Sequence, residues 1–290
     1  MKLYIKSLAF AAIALPIIAS CSNENEPSTI ETGKKLMTFD CRIENGTRAT
    51  DTAFEENDEI GVYVVNTGEL IQPAGNEVNN KKFKYNGTAW APDKTVYWND
   101  GTFDVYAYYP YCEQISDTEE MTFTVKEDQS DHANYTASDF IWASKEEVTG
   151  GNDAVSLEFS HRLSKVMVTL EKGEGFTGDI PSNCEVYIHS TGLEASVNLK
   201  TGNASTSVSS PTGTIKALQK DNTTFEAIAV PQNITSRLPL VEVVADGVSY
   251  LMEGKISLRP GYCHNITITL TKNPEATKIE IGGSISGWGN

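Results

Sequence analysis

A chain of 290 residues, 39% hydrophobic and 21% charged, holds enough material for two globular domains of ordinary size. Its formal charge is −16, and loss of residues 1–20 would remove two lysines and no acid. That balance argues against a nucleic-acid partner and against charge-driven contact with an anionic membrane.

Residues 1–20 are not part of the fold. Lys2 and Lys6 make a basic start, and Leu8 to Ile18 is an apolar run too short to span a bilayer as a helix. Ile18-Ala19-Ser20-Cys21 closes it with small residues before a cysteine, so residues 1–20 read as a secretory signal. Residues 21–35 are mostly polar, with Pro27, and read as a flexible tether.

In the next stretch Met37, Phe39, Cys41 and Ile43 alternate with Thr38, Asp40, Arg42 and Glu44, the period of a strand with one buried face. Asn45-Gly46 breaks the run, and Arg48 stands in the small, polar segment 46–52, a protease-accessible joint. Cutting the Arg48–Ala49 bond would free the first strand and leave an apolar groove that another chain could fill by strand addition.

Beyond the joint, Ile60–Val65 is a continuous apolar strand. Asn86-Gly87 is a hairpin signal, and Phe103, Val105, Ala107 and Tyr109 alternate with Thr102, Asp104, Tyr106 and Tyr108. Met121–Val125 is one more strand, residues 126–137 read as a loop, and no segment has a helical period. Gly150-Gly151-Asn152-Asp153 is the expected boundary between an N-terminal sandwich, 36–150, and a C-terminal one, 151–290. The second half holds strands at 155–159, 163–170, 185–188 and 193–199, with 201–214 as an edge or loop. Asp246-Gly247 is its sharpest hairpin signal, and strands near 262–270, 278–281 and 285–288 finish the chain. Many short strands separated by turn signals predict an all-β protein built of β-sandwiches.

The polar residues supply no catalytic centre. No G-x-S-x-G, H-E-x-x-H or phosphate-cradling loop occurs, and no cofactor is expected. His132, His161, His189 and His264 are scattered and read as structural. Asp128, Asp131 and His132 lack the spacing of a calcium loop, so no metal is expected. Trp90, Tyr97, Trp98, Tyr106, Tyr108 and Tyr109 could serve as sandwich core or as a sugar platform. Cys41, Cys112, Cys184 and Cys263 allow three disulfide connectivities or stay buried thiols, and a bond at Cys41 would tether the first strand after a cut.

Several stretches together resemble the fimbrillin (Mfa-like) proteins of Bacteroidetes. They are Gly46–Ala53 running into Asp58–Tyr63, Val96–Pro110 with Ala107-Tyr108-Tyr109-Pro110, Phe159–Leu170, and the Ile285–Trp288 ending. The closing residues of the leader resemble a lipoprotein box, which implies cleavage before Cys21 and acylation of that cysteine. The family resemblance implies two tandem transthyretin-like β-sandwich domains, no enzymatic activity, and export as an outer-membrane lipoprotein that becomes a pilus subunit. In polymerising members a protease cuts after an arginine, the first strand leaves, and a neighbouring subunit's C-terminal extension replaces it. Arg48 and Ala49 match that cut by position. Asp51-Thr52-Ala53 resembles the O-glycosylation motif of the same bacteria, with Thr52 as acceptor. The chain ends two residues after Trp288, where stalk subunits continue, which favours a tip or accessory subunit that accepts a strand from other pilus subunits. Residues 277–290 remain a possible short donor, with Ile279, Ile281 and Ile285 as pocket fillers. The alternative is a non-polymerising outer-membrane lipoprotein that binds glycans, marked by an exposed aromatic row beside polar side chains.

Overall fold

The structure, a computed structural model, describes residues 33–44, 53–273 and 277–288. Most of the described chain is strand. The first half builds a seven-stranded sheet, in spatial order β1 (Phe39–Ile43), β8 (Val155–His161), β7 (Ile141–Thr149), β5 (Thr102–Tyr109), β2 (Glu59–Asn66), β3 (Val78–Tyr85) and β4 (Trp90–Pro92). A three-stranded sheet runs β12 (Asn203–Thr206), β11 (Glu194–Asn198) and β6 (Met121–Thr124). The second half adds a four-stranded sheet, β13 (Thr212–Lys216), β10 (Glu185–Gly192), β16 (Gln232–Ala245) and β17 (Val248–Leu258). Its five-stranded sheet runs β14 (Leu218–Gln219), β15 (Thr224–Ala229), β9 (Ser164–Lys172), β18 (Tyr262–Leu270) and β19 (Lys278–Gly287).

The continuous apolar run of β2 has a simple cause: both of its faces are covered. Ile60, Val62 and Val64 enter one core with Met37, Phe39, Phe83, Trp90, Val105, Leu157 and Phe159. Tyr63 and Val65 point the other way, into a larger core with Tyr106, Tyr108 and Trp142 and the inner faces of the second half. The β5 alternation divides in the same way, Phe103, Val105 and Ala107 on one side and Tyr106 and Tyr108 on the other. The seven-stranded sheet is therefore a shared wall between two hydrophobic interiors.

The expected boundary at Gly150-Gly151 lies inside the β7–β8 connection, and β8 pairs in the first sheet. The sheets change hands instead between His161 and Ser164, and β6 from the first half pairs with β11 in the second. Contacts join the described residues from Gly33 onward into one unit. Trp142 fastens the seam: its Nε1–H donates to Leu199 O at 2.7 Å, and the Arg162 guanidinium stands 4.6 Å from its ring centroid.

Two stretches, 126–137 read as a loop and 201–214 read as an edge or loop, carry regular structure. Residues 132–137 form α1 (His132–Ala137), started by Asp131, whose side chain accepts from Asn134 N–H. Residues 201–214 hold β12 and the start of β13.

Candidate strand-acceptor site

β1 is an edge strand. Among the described residues it pairs with β8 alone, in parallel, from Phe39 opposite Val155 to Ile43 opposite Phe159. Val155 N–H donates to Thr38 O at 2.9 Å and Glu44 N–H donates to Phe159 O at 2.7 Å, closing the ladder at each end. Upstream the chain is clasped by the 96–98 segment: Met37 N–H donates to Val96 O and Trp98 N–H to Lys35 O, both at 2.9 Å. A parallel ladder with one partner strand is the weaker kind of sheet contact.

The expected alternation is realised. Met37 and Phe39 are 2% and 5% exposed, Cys41 and Ile43 are half-buried, and Asp40, Arg42 and Glu44 face solvent. Phe39 meets Phe83 edge-on, centroids 4.9 Å apart at 85°. Burial of Met37 and Phe39 contributes roughly 3–6 kcal/mol in all, so the groove under β1 is strongly apolar. On the solvent side Arg42 pairs with Glu158 at 3.5 Å, an exposed contact of small consequence.

No covalent link holds the strand. Cys41, Cys112 and Cys184 are free thiols. Burial, with Asp40 adding to it, pushes the Cys41 thiol pKa far up, so the group stays protonated and unreactive.

Below the end of β1, Phe54 lies edge-on to Trp90 at 4.9 Å, to Phe159 at 5.3 Å and to Tyr109 at 6.1 Å. Sequence reasoning missed Phe54; its signal was a lone aromatic in the polar run 53–59. It also missed the parallel partner β8, which stands more than a hundred residues downstream.

The other terminus reaches the same strand. β19 forms the outer edge of the five-stranded sheet, antiparallel to β18. Just beyond it, Trp288 stacks on His161 at the end of β8, centroids 4.1 Å apart and planes 3° from parallel. Trp288 N–H donates to Gly261 O at 2.8 Å, and Asp139 approaches His161 Nδ1 at 2.9 Å.

The remaining candidates are placed as follows. Trp90, Trp98, Tyr106 and Tyr108 are buried, which puts them in the cores and not on a platform. Asp128 accepts from Ser130, Asp131 caps α1, and His132 faces Glu55 at 3.4 Å, so these three do not converge. His264 is buried, and its Nε2 accepts from Arg259 N–H at 2.9 Å. Cys21, Arg48, Ala49 and Thr52 lie outside the described residues.

Residues 47–288 match the fimbrillin-like family. The chain belongs to that family. Its members are structural subunits, not enzymes. Among relatives of this fimbrillin-like chain, a Bacteroides uniformis protein named "Putative fimbrium subunit Fim1C" is 26% identical over 98% of the chain and 95% of its own length. A Bacteroides ovatus protein named "Putative fimbrium tip subunit Fim1C" is 31% identical over 59% of the chain, an alignment that spans 36% of that relative's length. Crystal structures of a "putative cell adhesion protein" from B. ovatus and another from B. uniformis superpose with TM-scores of 0.70 and 0.67. Each is 20% identical and is matched over 88% of this chain and 98% of its own, a likeness of fold. The fimbrillin-like chain is thus a fimbrial subunit, and its family places it in a surface pilus.

Proposed function

We propose that this subunit is an acceptor in pilus assembly, exported as an outer-membrane lipoprotein through Cys21 and matured by cleavage of the Arg48–Ala49 bond. The cut releases residues up to Arg48, β1 leaves the sheet edge, and an extended segment of another subunit takes its place beside β8. Ladder bonds to β8 supply affinity and alternate apolar side chains refill the pockets of Met37, Phe39, Cys41 and Ile43. One observation carries this reading: β1 sits at a sheet edge, hydrogen-bonded to a single partner strand, with its only cysteine a free thiol. The two halves then act as tandem sandwiches that meet at residues 162–163.

A tip or accessory position is the favoured place in the fibre, supported by the relative named as a tip subunit. Mass spectrometry of the native surface form is the test. An N-terminus at Ala49 in fibre material is expected. Fibres made of chains that still run unbroken from Cys21 through Ala49 would overturn the proposal.

A further inference from the structure

β1 fits its groove unevenly. Met37 and Phe39 are sealed at 2% and 5% exposure, whereas Ile43, its last residue, is half-buried. Beside Ile43 lies a pocket of about 40 Å³, partly open to solvent, whose walls include Phe54, Tyr109, Tyr135, Ile141 and Asp139. A water needs roughly 10–15 Å³ by this measure, so the space is larger than one water. Its lining is mostly ring and aliphatic carbon. The one carboxylate, Asp139, is already engaged by the His161 Nδ1 at 2.9 Å. Two of the rings around it meet edge to face, Phe54 and Tyr109 with centroids 6.1 Å apart at 72°, which is the geometry an added aromatic ring would extend.

We propose that the strand which replaces β1 carries an aromatic side chain at the register of Ile43, and that this cavity selects it. The inference rests on the strand-replacement reading and names the partner that reading requires. The partner is an extended segment of a different pilus subunit, parallel to β8, apolar at alternate positions and ending its core-facing series in Phe or Tyr. A second copy of this chain is a poorer fit. If Ile279, Ile281, Gly283 and Ile285 are laid on the registers of Met37, Phe39, Cys41 and Ile43, the last pocket again receives an isoleucine. The cavity is left as open as it is under β1.

The test uses the full-length protein cut after Arg48 and freed of its N-terminal fragment. Three fluorescent peptides are titrated: residues 35–44, the same peptide with Ile43→Phe, and residues 277–288. The Ile43→Phe peptide is expected to bind about five- to tenfold tighter than the other two, the ratio a filled void of this size gives. Equal or weaker binding of that peptide overturns the aromatic selection while leaving strand replacement standing. If no peptide binds, strand replacement fails and the inference with it. The uncut chain provides a separate reading of the cavity: Ile43→Phe should raise its Tm by about 2–4 °C. A lowered Tm would show that the space cannot admit a ring.

Discussion

The ring of Tyr108 lies directly over the α-carbon of Gly61 on the neighbouring antiparallel strand. The two residues are ladder partners, and any Cβ at position 61 would overlap the tyrosine ring. The Tyr108 hydroxyl donates to Asn80 Oδ1 at 2.7 Å and accepts from Cys112 N–H at 3.2 Å, so the ring cannot swing aside freely. Gly61→Ala should therefore cost about 1–3 kcal/mol, as overpacking does. Thermal unfolding of Gly61→Ala, Tyr108→Ala and the double variant checks this. The two losses should fall short of adding, and strict additivity would show that the ring is not what excludes the methyl.

Limited trypsin digestion of the folded protein should cleave after Arg48 before any other basic site. N-terminal sequencing of the first product is expected to begin at Ala49. Degradation of the sheets while the Arg48–Ala49 bond stays intact would count against the joint.

Trp288→Ala should destabilise the protein by roughly 3–5 kcal/mol, since it removes a buried indole and its stack on His161. Trp288→Phe should recover part of the loss. Hydrogen exchange offers the sharper measurement: amides of β19 and of the last residues of β8 should lose protection together. Faster exchange in β19 alone would mean that the stack does not couple the two strands.

Acid should weaken the fold before the ion-paired and hydrogen-bonded carboxylates begin to titrate. Burial holds the His264 imidazole below its ordinary value, and its unprotonated Nε2 accepts from Arg259 N–H. A base whose folded pKa is depressed contributes stability that is complete above its unfolded value, about 6.5, and that declines as pH falls below it. Asp93, Asp128, Glu185 and Asp221 also lose stabilisation on protonation, but they are held below the usual carboxylate range and act at lower pH. Tm measured from pH 7.5 to 5.5 should therefore fall, and the slope should flatten in His264→Gln. An unchanged slope would assign the acid sensitivity to another group.

Cys21→Ser should move the protein from the membrane fraction to soluble fractions, because several acyl chains at about 0.8 kcal/mol per buried CH₂ are lost at once. Membrane fractionation identical to wild type would remove the lipid anchor from the account.

Local chemistry made much of the strand order legible. The Asp246-Gly247 turn joins β16 to β17 with φ of 48° and 77° at its two residues, the left-handed pair that such a hairpin needs. The β1 alternation gave the buried face correctly down to Met37 and Phe39. The β1–β8 partnership was not legible, because a parallel contact across more than a hundred residues leaves no turn and no spacing to detect. The six residues of α1 are too few to show a helical period, and only the Asp131 cap marks its start. The stack of His161 on Trp288 joins two stretches that carried the family resemblance, yet nothing in either stretch states that they touch.

β8 ends at His161 and β9 begins at Ser164, so two residues separate the proposed docking strand from the middle of the five-stranded sheet, where β9 lies between β15 and β18. On the strand-replacement reading, tension along a fibre would enter through β8 and pass at once into a strand braced on both sides. Pulled lengthwise, a ladder shares the load across all its rungs instead of opening one at a time. Single-molecule stretching of the subunit between residue 155 and the C-terminal strand should show one high rupture step, and stepwise opening at low force would mean that the load takes another route.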